Sequence, residues 1–248
     1  MADDLVSKEV YVDEVNNLLE WITRFTPNEL EFFGEIIHNY RHSFNKTELE
    51  LSEKLSSCLT KLMAVNYHKT ELSKASKRNI NFSKKFMKKF NFRGIGYSYT
   101  PLDMIFEFEA FVLQTQAFLS IFSTVVGIYF GQRPSNIKRL KKVLSKNESI
   151  EANKILEILE KNEWLKDFES NENSKSLRDI VAHYSEVKTT GFFIDKRCGK
   201  GKIERPKIGC SGKEDLEEYS EFIYNNLVNL VKESITFLYH NILYDCTK

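Results

Sequence analysis

The chain has 248 residues, enough for one large domain or two small ones. Hydrophobic residues make up 42% and aromatic residues 13%, which fills a sizeable core and excludes an intrinsically disordered chain. The formal net charge is +1, so no global field selects a partner, although basic residues cluster locally.

The first residues, MADDLVSKEV, carry no basic segment followed by an apolar one, which is not the form of a signal peptide. Cys58, Cys198, Cys210 and Cys246 are scattered without a CxxC pair, which suits a reducing compartment. Both features lead to the expectation of a cytoplasmic protein. Proline and glycine are scarce, and helix-start signals recur. T26-P-N-E29, T47-E-L-E50, T100-P-L-D103, S176-L-R-D179 and S211-G-K-E214 each place a Ser or Thr cap three residues before an acid. This repetition predicts an all-α protein, a helical bundle.

In chain order, a first helix is expected over about Lys8 to Phe25. A second follows from Pro27 to about Phe44, with Leu30, Phe33, Ile37, Tyr40 and Phe44 on one stripe. A third starts after Thr47, aligns Leu51, Leu55, Leu59 and Leu62, and ends near Ser73. A basic region runs from Lys74 to Arg93, and a long apolar helix from Pro101 to about Phe130, stopped by Gly131. A short basic helix follows Pro134, and another covers about Ile150 to Phe168. The next opens at Ser176. Residues 189–209 then change character: two runs flank a Gly-Lys-Gly centre, which predicts a small β-hairpin insertion near the C-terminal end. A final helix is expected from Glu214 to about Tyr244. The division this suggests is an N-terminal helical region over 1–95 and a second helical bundle over 96–248.

Residues Ala110 to Phe130 carry no charge and approach the ~20 residues of a membrane span. Gln114, Thr115, Gln116, Ser120, Ser123 and Thr124 interrupt the run, and Glu107 and Glu109 precede it. This polarity favours a central helix buried on most sides, with no membrane partner.

The stretch 176-SLRDIVAHYSEV-187 holds the chemistry of interest. With Ser176 as cap and about 100° per residue, Leu177, Ile180, Val181, Tyr184 and Val187 share an apolar face. The opposite face carries Arg178, Asp179, Ala182 and His183, with Arg178 and His183 at its flanks, about 140° apart. An Arg in a first helical turn opposes the macrodipole, yet beside free N–H groups it is well placed to hold a phosphate. His183 suits proton transfer near neutral pH, and Asp179 one turn away can orient it. A plain reading is equally coherent: a capping-box Asp, a solvated Arg and a surface His on an ordinary polar face.

The pattern R178-D-I-V-A-H183, opening a helix late in a helical chain, resembles the R-x(4–6)-H motif of the HEPN superfamily, in its RDxxAH form. The resemblance spans about residues 101 to 245. It implies a helical bundle of the kind found in prokaryotic toxin–antitoxin, abortive-infection and CRISPR-associated systems. Many members are metal-independent endoribonucleases that act as homodimers, with two motifs facing one composite cleft; others only bind. The implied chemistry is attack of a ribose 2′-OH on the neighbouring phosphate. Catalytic roles would fall to His183 as general acid or base, Arg178 on the phosphate, and Asp179 as orienter of His183. RNA is the implied partner, together with an antitoxin or other defence protein, and no cofactor or metal is expected. The N-terminal helices and the hairpin depart from a minimal domain of this family.

Between Lys74 and Arg93 there is no acidic residue. Lys77, Arg78, Lys84, Lys85, Lys88, Lys89 and Arg93 are candidate RNA-binding residues, interleaved with Phe82, Phe86, Phe90 and Phe92. The same stripe of Phe82, Phe86 and Phe90 could dock on the core with its lysines in solvent, or lie on an anionic membrane. Further basic clusters run from Arg133 to Lys146 and from Lys196 to Lys207. A rival site lies on the second helix, where Glu31, Glu35, His38 and His42 share an arc and E35-I-I-H38 matches one element of a di-iron bundle. No second Glu-x-x-His accompanies it, which favours a solvated face. Cys198 and Cys210 lack nearby His partners for zinc, and His240 sits in an apolar run as a core histidine would.

Overall fold

The computed structural model describes residues 37, 45–89, 97–169, 176, 177, 179, 181, 192–195, 202–208 and 215–245. The protein is predominantly helical with one small sheet, in the order α1 (Lys46–Lys89), β1 (Tyr97–Tyr99), α2 (Leu102–Tyr129), α3 (Ile137–Leu144), α4 (Ile150–Lys161), β2 (Phe192–Asp195), β3 (Lys202–Glu204) and α5 (Leu216–Asp245). Of the helices expected before Asn45, only Ile37 of the second is among the described residues: it is helical and buried, and its carbonyl accepts from Ser52 Oγ at 3.2 Å.

α1 is a single helix of 44 residues, so the third helix does not end near Ser73. Nothing in the sequence stops it: no Gly or Pro occurs between Lys46 and Lys89. Its cap is Asn45 rather than Thr47, because Asn45 Oδ1 accepts the Thr47 N–H at 3.0 Å. The buried stripe begins with Leu51, Leu55, Leu59 and Leu62, then narrows to Leu72, Ala75, Ser76 and Ser83. The basic half of the helix therefore buries small residues only.

α2 is the core. Phe108, Phe111, Phe118 and Phe122 are fully buried, each worth about 1.5–3 kcal/mol by removal from water. It packs against α1, α3 and α5, while α4 lies against α3 and α5. The α1–α2 contact, between residues on either side of position 95, is the most extensive. By length and composition α2 would cross a membrane, yet 61% of its most apolar window is buried against protein. Three of its hydroxyls are absorbed locally: Ser120 Oγ donates to Gln116 O at 3.0 Å, Ser123 Oγ to Leu119 O at 2.7 Å, and Thr124 Oγ1 to Ser120 O at 3.2 Å, whereas Thr115 Oγ1 is buried with no partner among the described residues. Pro101 occupies the cap position with no side-chain capping bond. Asp103 instead accepts from Arg78 and Asn79 of α1.

The C-terminus of α2 closes in a Schellman turn. Gln132 N–H donates to Gly127 O and Gly131 N–H to Ile128 O, with Gly131 at φ 69°. The helix expected over Ile150 to Phe168 breaks at Asn162. Its side chain donates to Ile158 O and accepts from the Trp164 indole, both at 2.8 Å, and a 3₁₀ turn (Glu163–Phe168) follows. That turn buries Trp164, Leu165 and Phe168. Asp215 caps α5, accepting the N–H groups of Glu217 and Glu218, so the helix starts two residues past Glu214.

The hairpin of β2 and β3 forms as its pattern predicts, but it is not an isolated insertion. β1, which lacks a strand signature, adds an antiparallel third strand in the order β1-β2-β3, with Ser98 opposite Phe193. Tyr99 then fastens the sheet to α1: its hydroxyl donates to Asn79 O at 3.1 Å and meets Ser83 Oγ at 3.1 Å.

Candidate active site

The described residues 177, 179 and 181 are helical, and the helix start has the geometry its sequence predicts. Ser176, only 3% exposed, accepts the Asp179 N–H on Oγ at 3.1 Å. This satisfies one of the amide groups left free at a helix N-terminus. Leu177 and Val181, the two described members of the expected apolar face, pack against the main core. Arg178 and His183 lie outside the described residues.

Ser176 and Asp179 line a cavity of about 560 Å³. Its other walls come from separate elements, including Gln116 and Ser120 of α2, Lys138 in the first turn of α3, and Glu169 after the 3₁₀ turn. Asn136, also on its wall, caps α3 by accepting the Arg139 N–H at 2.8 Å. Two helix N-termini therefore converge on one cavity of mixed lining, with Leu113, Leu119, Ile137 and Phe168 among its walls, and their partial positive charge favours an anion there. Lys138 adds a full positive charge, and the Asp179 carboxylate on the same wall offsets it. Glu169 is neutralised by Lys141 at 2.8 Å. Gln116 Oε1 is buried with no hydrogen-bond partner among the described residues.

Lys138, Asn136 and Gln116 were not singled out from sequence. A signal existed for each. Asn136 precedes the apolar positions Ile137, Leu140 and Leu144, as a cap does, Lys138 falls in the basic cluster from Arg133 to Lys146, and Gln116 is one of the polar interruptions of α2. Glu107 does not join this cavity. It meets His68 Nδ1 of α1 at 2.8 Å, within the α1–α2 contact.

The candidate RNA-binding residues occupy the C-terminal half of α1, except Arg93, which lies outside the described residues. At about 100° per residue, Lys77, Arg78, Lys84, Lys85, Lys88 and Lys89 fall within about 140° of the helix circumference. Arg78 is paired with Asp103 at 3.3 Å, whereas Lys77, Lys84, Lys85 and Lys88 have no ion pair among the described residues. Phe82 does not dock in the core. It is 52% exposed, stacks on Phe86 at 6.0 Å and meets the Tyr99 ring edge-on at 5.7 Å. The core-facing position of this segment belongs to Ser83. The face thus offers cations beside a half-exposed aromatic ring.

Among the described residues no group of three or more His, Cys, Asp and Glu is placed to hold a metal. Glu31, Glu35, His38 and His42 lie outside them, as do Cys198, Cys210 and the His240 side chain. Cys58 is buried in α1, and that burial pushes its thiol pKa up, away from nucleophilic or metal-binding chemistry. Compared with known proteins, the chain matches no family model, no curated protein and no solved structure.

Proposed function

We propose that the protein is a cytoplasmic, metal-independent endoribonuclease of a defence or toxin–antitoxin system, acting as a homodimer in the manner of the HEPN proteins it resembles. The observation that carries this reading is the placement of one helix start. The Ser176 cap that opens R178-D-I-V-A-H183 sits, with Asp179 and Lys138, on the wall of a cavity where two helix N-termini converge. An anionic substrate group is favoured at such a place.

In this reading a ribose 2′-oxygen attacks the adjacent phosphorus. The O2′–P bond forms, the P–O5′ bond breaks, and the products are a 2′,3′-cyclic phosphate and a 5′-hydroxyl. His183 takes the 2′-OH proton or delivers a proton to the departing O5′, and a second copy of the motif supplies the complementary step. Arg178 holds the phosphate oxygens as charge develops on them. Asp179 orients His183. Dependence on the 2′-OH selects RNA over DNA.

The test is RNA cleavage by purified protein in excess chelator, comparing wild type with His183→Ala and Arg178→Ala, each checked for folding by thermal melt. Cleavage by wild type alone, leaving cyclic-phosphate ends, supports the reading. Equal cleavage by all three overturns it.

A second reading, a HEPN-like module that binds RNA without cutting it, is favoured by the α1 face, where Lys77, Lys84, Lys85 and Lys88, with no ion pair among the described residues, accompany the exposed Phe82. RNA binding without cleavage by wild type would select it.

A further inference from the structure

A second cavity, of about 790 Å³, is lined by a different set of α3 residues from the first. Arg133, Arg139, Lys142 and Lys146 line it against a single carboxylate, Glu148, with Phe130 as an aromatic wall. Arg133 is anchored by Glu50 of α1, which accepts from Nε at 2.7 Å and also from Nη2. Counting Glu50, the groove keeps a net excess of two positive charges. Lys142 and Lys146 are exposed and have no ion pair among the described residues. Arg139, Lys142 and Lys146 recur at three- and four-residue spacing, which sets them about 4.5–6 Å apart along the axis of α3 and its C-terminal turn. That is the scale of neighbouring phosphates along a nucleic-acid strand.

The two cavities share the first turn of α3. Lys138 lines one and its sequence neighbour Arg139 lines the other. Arg139 Nη1 donates to Ser135 Oγ at 3.0 Å, and Ser135 is itself on the wall of the first cavity. An anionic chain lying across this turn would meet cations continuously from one cavity to the next.

We infer that the groove formed by Arg133, Arg139, Lys142 and Lys146 binds the phosphodiester backbone of a single nucleic-acid strand, as a site distinct from the Asp179 cavity and contiguous with it. The choice of a nucleic acid over an acidic protein segment rests on the regular spacing of the cations and on the aromatic wall at Phe130, against which a base can stack. The inference extends the RNA reading above but does not need cleavage to be correct.

The experiment measures binding of a 2′-O-methyl oligouridine, which lacks the attacking hydroxyl and cannot be cut by 2′-OH chemistry, to the full chain over a range of salt concentrations. Wild type is compared with the double variant Lys142→Glu/Lys146→Glu, whose substituted side chains are exposed and whose fold is checked by thermal melt. The expected result is a loss of affinity of at least about tenfold and a shallower salt dependence. Unchanged affinity and slope in the double variant would overturn the inference, as would absence of oligonucleotide binding by wild type. Equal, equally charge-sensitive binding of a poly-glutamate peptide would also overturn it, because the groove would then read charge alone. Groove-dependent binding by a protein that cuts no RNA would support this inference while removing the ribonuclease reading. Cleavage with groove-independent binding would do the reverse.

Discussion

The Asp179 N–H donates to Ser176 Oγ at 3.1 Å, and both residues sit on the wall of the same cavity. One hydrogen bond thus fixes the helix start at Leu177, where the R178–H183 pattern opens in the sequence. Ser176→Ala removes the acceptor, and an expected cost of about 1 kcal/mol follows from the measured worth of such caps. Ser176→Gly should cost less, about a few tenths of a kcal/mol, because glycine is itself a favoured cap residue. Denaturant midpoints of the two variants check this ordering. Equal losses would show that the bond contributes through packing of the buried serine instead.

Gly127 and Pro134 make the tightest backbone approach in the α2–α3 turn. A Cβ on Gly127 would lie 2.1 Å from Pro134 Cδ and 2.8 Å from Gln132 O. Gly127→Ala should therefore destabilise by about 1–3 kcal/mol, as overpacking does. Pro134→Ala removes the ring that clashes, and the double variant should be more stable than the two single losses predict. A strictly additive cycle would place the strain at Gln132 O. Gly131→Ala is a useful contrast: nothing lies within 4 Å, so its expected cost, about 1 kcal/mol, comes from φ 69° alone.

Asp215 gives a pH dependence whose sign can be worked out. Burial raises its carboxyl pKa, outweighing the Glu218 and Glu217 N–H groups and Arg205, which lower it. A raised pKa means that the folded state binds the proton more tightly than the unfolded chain. The charged carboxylate then costs stability above the raised pKa, and that cost disappears as pH falls through the raised pKa to the ordinary carboxylate range. Asp215→Asn keeps an Oδ1 cap and removes the titration. It should match wild type in acid and exceed it at neutral pH, measured as Tm between about pH 3 and about pH 7. A wild type more stable than the variant at neutral pH would show that the hydrogen bonds and Arg205 dominate.

The α1 face makes a separate prediction about RNA. Lys84→Ala, Lys85→Ala and Lys88→Ala together should reduce the salt slope of RNA binding by about 2, at about 0.7 per phosphate contact on a single strand. Phe82→Ala should weaken binding by about 1–3 kcal/mol if a base stacks there, with little change in Tm because the ring is half exposed. Oligonucleotide titrations beside thermal melts distinguish the two effects. A drop in Tm with unchanged affinity would make Phe82 a packing residue that holds Phe86 and Tyr99.

The sequence by itself determined the helical class, the span of α2, the Ser176 cap and the hairpin, because each is written in local periodicity or in a residue type at a helix end. Local signals also misled where one residue could serve two ends. Thr47 and Thr100 look like caps, but Asn45 and Pro101 hold those positions. Asp103, set three residues after Thr100, spends its carboxylate on Arg78 and Asn79 across the α1–α2 contact. Asn162 ends a helix by bonding to Ile158 O and Trp164 together, a choice no periodicity records. Only the tertiary structure decided the rest. β1 becomes a strand because β2 presents an open edge beside it, nearly a hundred positions later in the chain. The first cavity forms between the middle of α2 and the start of α3, and the second between the α2–α3 turn and α3 itself, so Lys138 and Arg139, adjacent in sequence, come to line different cavities. Distances of this kind depend on how whole elements pack, and packing is set by buried shape across the chain, which a local pattern does not contain.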